Sequence, residues 1–450
     1  MNDDSANATP ETCASDGTND APEASVGNET NVAAEANANG RPLPSHWKRT
    51  IAIIWTGQAA SVLATCAATF AVIWHITVST DSALMLSAAG IAALLPAALL
   101  SPFGGVAADR FNRKHVMIAS DAIAGAFSLT LACLAATGQL GTAVLLVLLV
   151  ARSAAQAFHG TSLLALMPEL VPERDMVRIN SLDQVLTSGS AIGGPMLGIA
   201  LYNLWGFSAV LLIDAACAAI ACICLAIATL PYAKNPTPAD KGVVDDLREG
   251  LQAIGDDKGV ASLLAMAMVA MLLFLPLGTL SPLMTYDWFE GDGFAASVVE
   301  AAGGIGLLVG SLAILIWGGG KRLVPLLVVS GAAVGATCIA CGLLPSSAFP
   351  AFVALVGVMF AATGAFNAPI VPLMQRRVAP ERFGRVMGLF SSLTTLATPL
   401  GLLIAGPAAE ALGVQVWFIV CGSTLVVAMV ALSRVRPLQD LDRPAQDPAA

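Results

Sequence analysis

Arg152, Asp214 and Glu300 are charged residues set inside stretches that are otherwise apolar, and they define the chemistry open to this chain. An unpaired charge at the centre of such a stretch costs about 2.5–3.5 kcal/mol in a bilayer, so Arg152 requires a partner of opposite sign. Asp214 is placed to supply it: it sits about eight residues, or roughly 12 Å, into its own apolar run. A buried Arg–Asp pair can be a purely structural tie, or it can couple a proton or a ligand to a change of shape. Glu300 opens a Gly-rich run and is the next candidate. Asp121 and Asp183 fit snorkelling or helix-capping roles, and His75 and His159 fit hydrogen-bonded packing more readily than proton transfer.

The elements that must hold these residues follow from composition. Of 450 residues 56% are hydrophobic and 12% charged, which excludes an ordinary soluble domain and indicates an all-α integral membrane protein. At about 20 apolar residues per crossing, twelve helices are expected near 51–77, 83–108, 115–137, 142–166, 183–204, 207–230, 260–284, 295–317, 323–344, 349–372, 385–409 and 414–433. Of the 22 Lys and Arg, all but Arg152 fall at the termini or in even-numbered loops. By the positive-inside rule both termini are expected in the cytoplasm of a multi-pass plasma-membrane protein. The net charge of −9 comes largely from residues 1–47, an acidic segment expected to be a disordered cytoplasmic tail. The start of the chain lacks a secretory-signal pattern, so no cleaved leader is expected.

A polar segment, 231–258, divides the chain into six-helix halves, 48–230 and 259–433, with a cytoplasmic tail at 434–450. Within the divider, Val243, Val244, Leu247, Leu251 and Ile254 recur at helical spacing, predicting a short amphipathic helix on the inner membrane surface. Pro-Glu-Arg recurs at 172–174 and 380–382, each time after the fourth helix of a half. Two parallel repeats are therefore expected.

Three further motifs bear on mechanism. The loop after the second helix reads GGVAADRFNRK, with Gly105, Asp109, Arg110, Arg113 and Lys114. There Gly105 is expected to allow close helix contact, and Asp109 among three cations to lock one arrangement of that face and release it in another. The fifth helix contains Gly194, Pro195 and Gly198, predicting a close-packed, bendable helix. Cys338 and Cys341 have metal or redox spacing, but no second pair accompanies them, so no metal site is expected. Gly318-Gly319-Gly320-Lys321 is followed by Arg rather than Ser or Thr and is not read as a phosphate loop. No nucleophile–base pair or catalytic carboxylate pair stands out, so an enzyme is not expected.

The run from Gly105 to Lys114 resembles the major facilitator signature G-x-L-a-D-R-x-G-R-K, with Ala107 in place of Leu and Asn112 in place of Gly. With WTGQAASVLATCAATFAVIWHIT (55–77), ADRFNRKHVMIASD (108–121), ARSAAQAFHG (151–160), LLID (211–214) and ERFGRVMGLFSS (381–392), residues 45–440 are similar to the macrolide-efflux branch of the drug:proton antiporter-3 major facilitators. That resemblance places an Arg at Arg152 in the fourth helix and a partial Gly-Pro exporter signature at 194–198. It implies a twelve-helix, two-half major facilitator fold and a secondary active exporter of a small amphipathic or hydrophobic molecule, drug-like or siderophore-like. The expected mechanism is proton antiport with alternating access, with Arg152, Asp214 and Glu300 at the coupling cavity. The expected partners are a small-molecule substrate, protons and the lipid bilayer, with no cofactor or nucleic acid and a monomer as the working unit. An importer or facilitator of the same fold, or a non-transporting membrane scaffold or sensor, is the alternative.

Overall fold

The computed structural model describes residues 46–228, 251–252, 254–320 and 322–442. Most of the acidic tail and most of the divider, including Val243, Val244 and Leu247, lie outside these residues. The last divider residues, 251–252 and 254–256, are helical. Among the described residues twelve helices are long and apolar enough to cross a membrane, where a helix must satisfy every backbone group within itself. We number them α1 (Trp47–Thr80), α2 (Ala83–Arg110), α3 (Arg113–Ala136), α4 (Thr142–Leu170), α5 (Glu173–Trp205), α6 (Phe207–Ile227), α7 (Lys258–Leu283), α8 (Gly293–Trp317), α9 (Leu323–Leu343), α10 (Phe349–Asn367), α11 (Pro380–Leu412) and α12 (Val414–Ser433).

Most helices run longer than the apolar stretches that reveal them. The expected starts at 183 and 385 for the fifth and eleventh helices fall well inside α5 and α11, which begin at Glu173 and Pro380. Both start at the repeated Pro-Glu-Arg, because proline's fixed φ suits a helix start and its missing N–H costs nothing there. The polar first turns project beyond the apolar layer, where hydropathy does not register them. Asp183 is accordingly an exposed mid-helix residue rather than the start of α5.

Packing within one half is repeated in the other when six is added to each helix number. The pairs α1–α5, α2–α4, α3–α4 and α3–α6 correspond to α7–α11, α8–α10, α9–α10 and α9–α12. The main contacts between halves, α2–α11 and α5–α8, are exchanged by the same operation. Parallel repeats about an axis along the membrane normal have this property.

Past α12 the chain turns back rather than trailing away. Leu438 and Leu441 are fully buried, Arg377 donates to the Asp440 carbonyl, and Asp442 accepts from the first amides of α9, Leu323 N at 2.8 Å and Val324 N at 3.2 Å.

Candidate functional site

The two ends of the bundle differ. We call the end with the described termini and the Arg- and Lys-bearing loops the basic face. At the opposite end the halves are closed on each other. Glu410 of α11 accepts from Ser82 Oγ (3.0 Å) and Leu84 N (3.1 Å), capping the first turn of α2 from the other half. A carboxylate suits that position, where free amides and the helix dipole both favour negative charge. Trp74 and Tyr286 meet edge-on at 5.8 Å. A side chain added at Gly293 would strike Ile199 at 2.6 Å, and one at Gly304 would strike Ile192 at 2.5 Å, so backbone smallness sets the α5–α8 approach. Toward the basic face the halves part. Five consecutive α5 residues, Ser181–Val185, are exposed, more than one full turn and hence every side of the helix.

Between closed and open ends lies a cavity of about 300 Å³, lined by Thr65, Thr69, Gly90, Arg152 and Gln156 with Thr279 from the second half. Arg152 projects to its wall from α4. Its Nη2 contacts Asp214 Oδ2 of α6 at 2.8 Å and Thr65 Oγ1 of α1 at 3.2 Å. Asp214 also accepts from Ser128 Oγ at 2.7 Å and Thr65 Oγ1 at 2.9 Å, so four helices converge on one carboxylate. The Asp214 side chain is 4% exposed and that of Arg152 12%: the acid is sealed behind the base, and the base reaches the cavity. Among the described residues, Arg152 Nε and Nη1 have no protein partner and remain available as donors.

Glu300 is differently placed. It is half-buried on α8, on the face shared with Ala296 and Gly304 that packs toward α5, and has no hydrogen bond or ion pair among the described residues. Arg152, Asp214 and Glu300 therefore do not form one cluster.

The residues of the 105–114 loop divide as well. Arg113 pairs with Glu169 at 2.8 Å and donates to Ala108 O and Ala165 O, tying α3 to α2 and α4. Lys114 Nζ donates to Ala226 O (2.7 Å) and Ala228 O (2.8 Å), capping the end of α6. Asn112 caps α3 through its side-chain oxygen. Arg110 is exposed, and the side chain of Asp109 lies outside the described residues. Gly105 meets nothing within 4 Å; the close contact belongs to Gly104, where an added Cβ would lie 2.6 Å from Thr161 Oγ1 of α4. The expected packing role thus falls one residue earlier, and Gly105 faces open space. Gly194 and Gly198 pack on α1, at Cys66 (2.5 Å from an added Cβ) and the Ala67 carbonyl, with buried Pro195 between them.

Sequence reasoning weighed Asp121 and His159 singly and did not group them with Gln58: all three are buried where α1, α3 and α4 meet, so Asp121 faces His159 rather than snorkelling or capping a helix. Glu410 was missed too, because a carboxylate near a helix end looks like ordinary surface charge. Cys338 and Cys341 are buried packing residues, Cys338 Sγ lying 3.3 Å from Met359 Sδ, and the described residues hold no cluster fit for a metal.

The profile of the Major Facilitator Superfamily matches residues 54–337. Macrolide efflux protein A of Streptococcus pyogenes is 31% identical over 88% of this chain and 98% of its own length. Multidrug efflux pump Tap of Mycobacterium tuberculosis is 28% identical over 82% and 91%. Among solved structures, a bacterial homolog of the human lysosomal transporter Spinster, inward-facing and unoccupied, superposes with a TM-score of 0.68 at 14% identity, over 90% of this chain and all of that one.

Proposed function

The chain belongs to the major facilitator superfamily, and from that premise we propose that it exports a small amphipathic or hydrophobic molecule, macrolide- or other drug-like or siderophore-like, by proton antiport and alternating access. It is a multi-pass plasma-membrane transporter and not an enzyme. The basic face is assigned to the cytoplasm by the positive-inside rule. The cavity then opens inward, the side from which an exporter loads, and the Glu410 contact and the Trp74–Tyr286 contact close the outside.

The observation that carries the reading is the Arg152–Asp214 pair at the cavity wall. Its acid is reached through its base, which gives one device two states. With the pair intact, Arg152 offers its free N–H groups to an oxygen of the substrate. A proton arriving on Asp214 from outside releases Arg152, and substrate held by that side chain is released with it. Glu300, with no partner to displace, is the second proton acceptor. The Gly105–Lys114 loop contributes a gate: Arg113 and Lys114 stiffen the first half, and Gly105 supplies the bare surface on which the inner end closes.

Everted vesicles from cells overproducing the protein, energised to an acid lumen, should accumulate a labelled macrolide and release it when a protonophore is added. Accumulation indifferent to the protonophore refutes antiport. Uptake of none of a panel of macrolides moves the substrate to another amphipathic class. The Asp214→Asn variant should retain binding and lose the response to the pH gradient.

A further inference from the structure

We propose that Gln58, Asp121 and His159 form a second proton-binding site in the first half, stacked beneath the Arg152–Asp214 pair on the cytoplasmic side. The proposed role in transport rests on the antiport reading, but the binding of a proton does not. Each member lies seven residues from a member of the upper set: Gln58 from Thr65 on α1, Asp121 from Ser128 on α3, and His159 from Arg152 on α4. Seven residues are two turns, about 10 Å of rise, so the same three helix faces carry two polar layers. α1 and α3 run from the basic face and α4 runs toward it, which puts all three lower residues on that side. Near the level between the layers, α3 meets α6 through Gly125 and Ala218, an added Cβ at Gly125 lying 3.1 Å from that of Ala218.

The geometry about the ring accommodates two proton states. His159 Nδ1 lies 2.8 Å from Asp121 Oδ1, a close ion contact not aligned as a hydrogen bond, and Nε2 lies 3.1 Å from Gln58 Oε1. Both ring nitrogens thus face oxygen, and a neutral imidazole has only one N–H to offer. With a proton on each nitrogen the ring pairs its charge with Asp121 and donates from Nε2 to Gln58 Oε1. When it carries one, on Nδ1, the Gln58 amide must turn so that its NH2 faces Nε2. Gln58 Nε2 and Asp121 Oδ2 are buried without partners among the described residues, so little holds either group against such a rotation. The amide is therefore a two-position reporter of the proton on His159. Other ionisable groups nearby are few. Cys222 of α6 donates to Ile118 O at 3.6 Å. The Arg113–Glu169 pair lies farther toward the basic face, Arg152–Asp214 lies on the other side, and Asp183 of α5 is exposed. α2 carries ionisable residues only at its basic end, Asp109 and Arg110.

The test uses the full chain in lipid nanodiscs. With four histidines in the sequence, protein labelled with 15N-histidine gives four pairs of ring-nitrogen signals, and the pair missing from His159→Gln belongs to His159. Over a titration that ring should pass from a form protonated on both nitrogens to one protonated on Nδ1 alone, and Asp121→Asn should abolish the doubly protonated form. A ring that stays singly protonated at every pH where the protein is folded overturns the site. Should His159→Gln not fold, removing the other three histidines one at a time makes the assignment by elimination. In vesicles, His159→Gln retains hydrogen-bonding atoms without the titration and should reduce the stimulation of transport by a pH gradient at least tenfold; unchanged stimulation overturns the transport role. Wild-type transport indifferent to the gradient defeats the antiport reading while leaving the ring titration to stand or fall on its own.

Discussion

The two halves share a helix arrangement and little else inside it. The interior of α1–α6 holds an ion pair, a His–Asp contact, a Gln and two hydroxyls bonded to Asp214. At the corresponding level of α7–α12 Cys338 packs against Met359, and toward the end opposite the basic face Phe352 contacts Phe289, Phe349 and Phe418. Aromatic cores are close-packed and resist deformation, whereas a polar network has alternative states set by where its protons and charges sit. On the proposed mechanism the first half carries both polar networks, while the second contributes Glu300 on α8 to an otherwise apolar body.

The contrast is broken most readily by stranding a charge. Asp214→Ala leaves Arg152 buried without its partner and should cost about 3–5 kcal/mol, read as a fall in melting temperature of the purified protein. The pair Arg152→Met with Asp214→Leu should recover most of that stability without restoring gradient-driven transport. Phe352→Ala in the other half should cost a similar 3–5 kcal/mol through its cavity, yet leave the proton dependence of the remaining transport as it was; a changed dependence would erase the division between halves. Gly310→Ala comes next, at about 1–3 kcal/mol in the melt, because its Cβ would meet the Ala361 carbonyl and push α8 from α10. Glu410→Ala removes two hydrogen bonds between halves, worth about 1–2 kcal/mol together. Amide exchange at Leu84 should then quicken by about five- to thirtyfold, and unchanged exchange would mean that the outer closure does not depend on this carboxylate. Glu300→Gln should shift stability least, within about 0.5 kcal/mol, while altering transport driven by a pH gradient.

Much of the first-order architecture was legible because hydrocarbon imposes it. A span must be apolar and helical, and loop cations report sides, so twelve helices and the isolated Arg152 stand out in the chain. Helix ends did not, since the polar turns of α5 and α11 project past the apolar layer. The network was legible only in its most costly member. Arg152 announces itself against its surroundings, but Thr65 and Ser128 are ordinary helix residues until Asp214 is brought to them. Gln58, Asp121 and His159 lie more than 100 residues apart at the extremes, and their common seven-residue offset from the upper layer has meaning only once three helices are set side by side. Gly105 shows the opposite case: a motif residue whose expected contact was assigned to the wrong neighbour, because a one-residue step turns a helix position by about 100°.

The segment after α12 has a consequence for how the protein is made. The opening amides of α9 find their acceptor in Asp442, and Leu438 and Leu441 complete the packing beneath α7. A helix synthesised midway through the second half therefore stays unfinished until residues more than 100 positions later have left the ribosome. If assembly of that half is completed after insertion, from the basic face, tags or truncations placed before residue 442 should trap a chain that is inserted in the membrane but incompletely assembled.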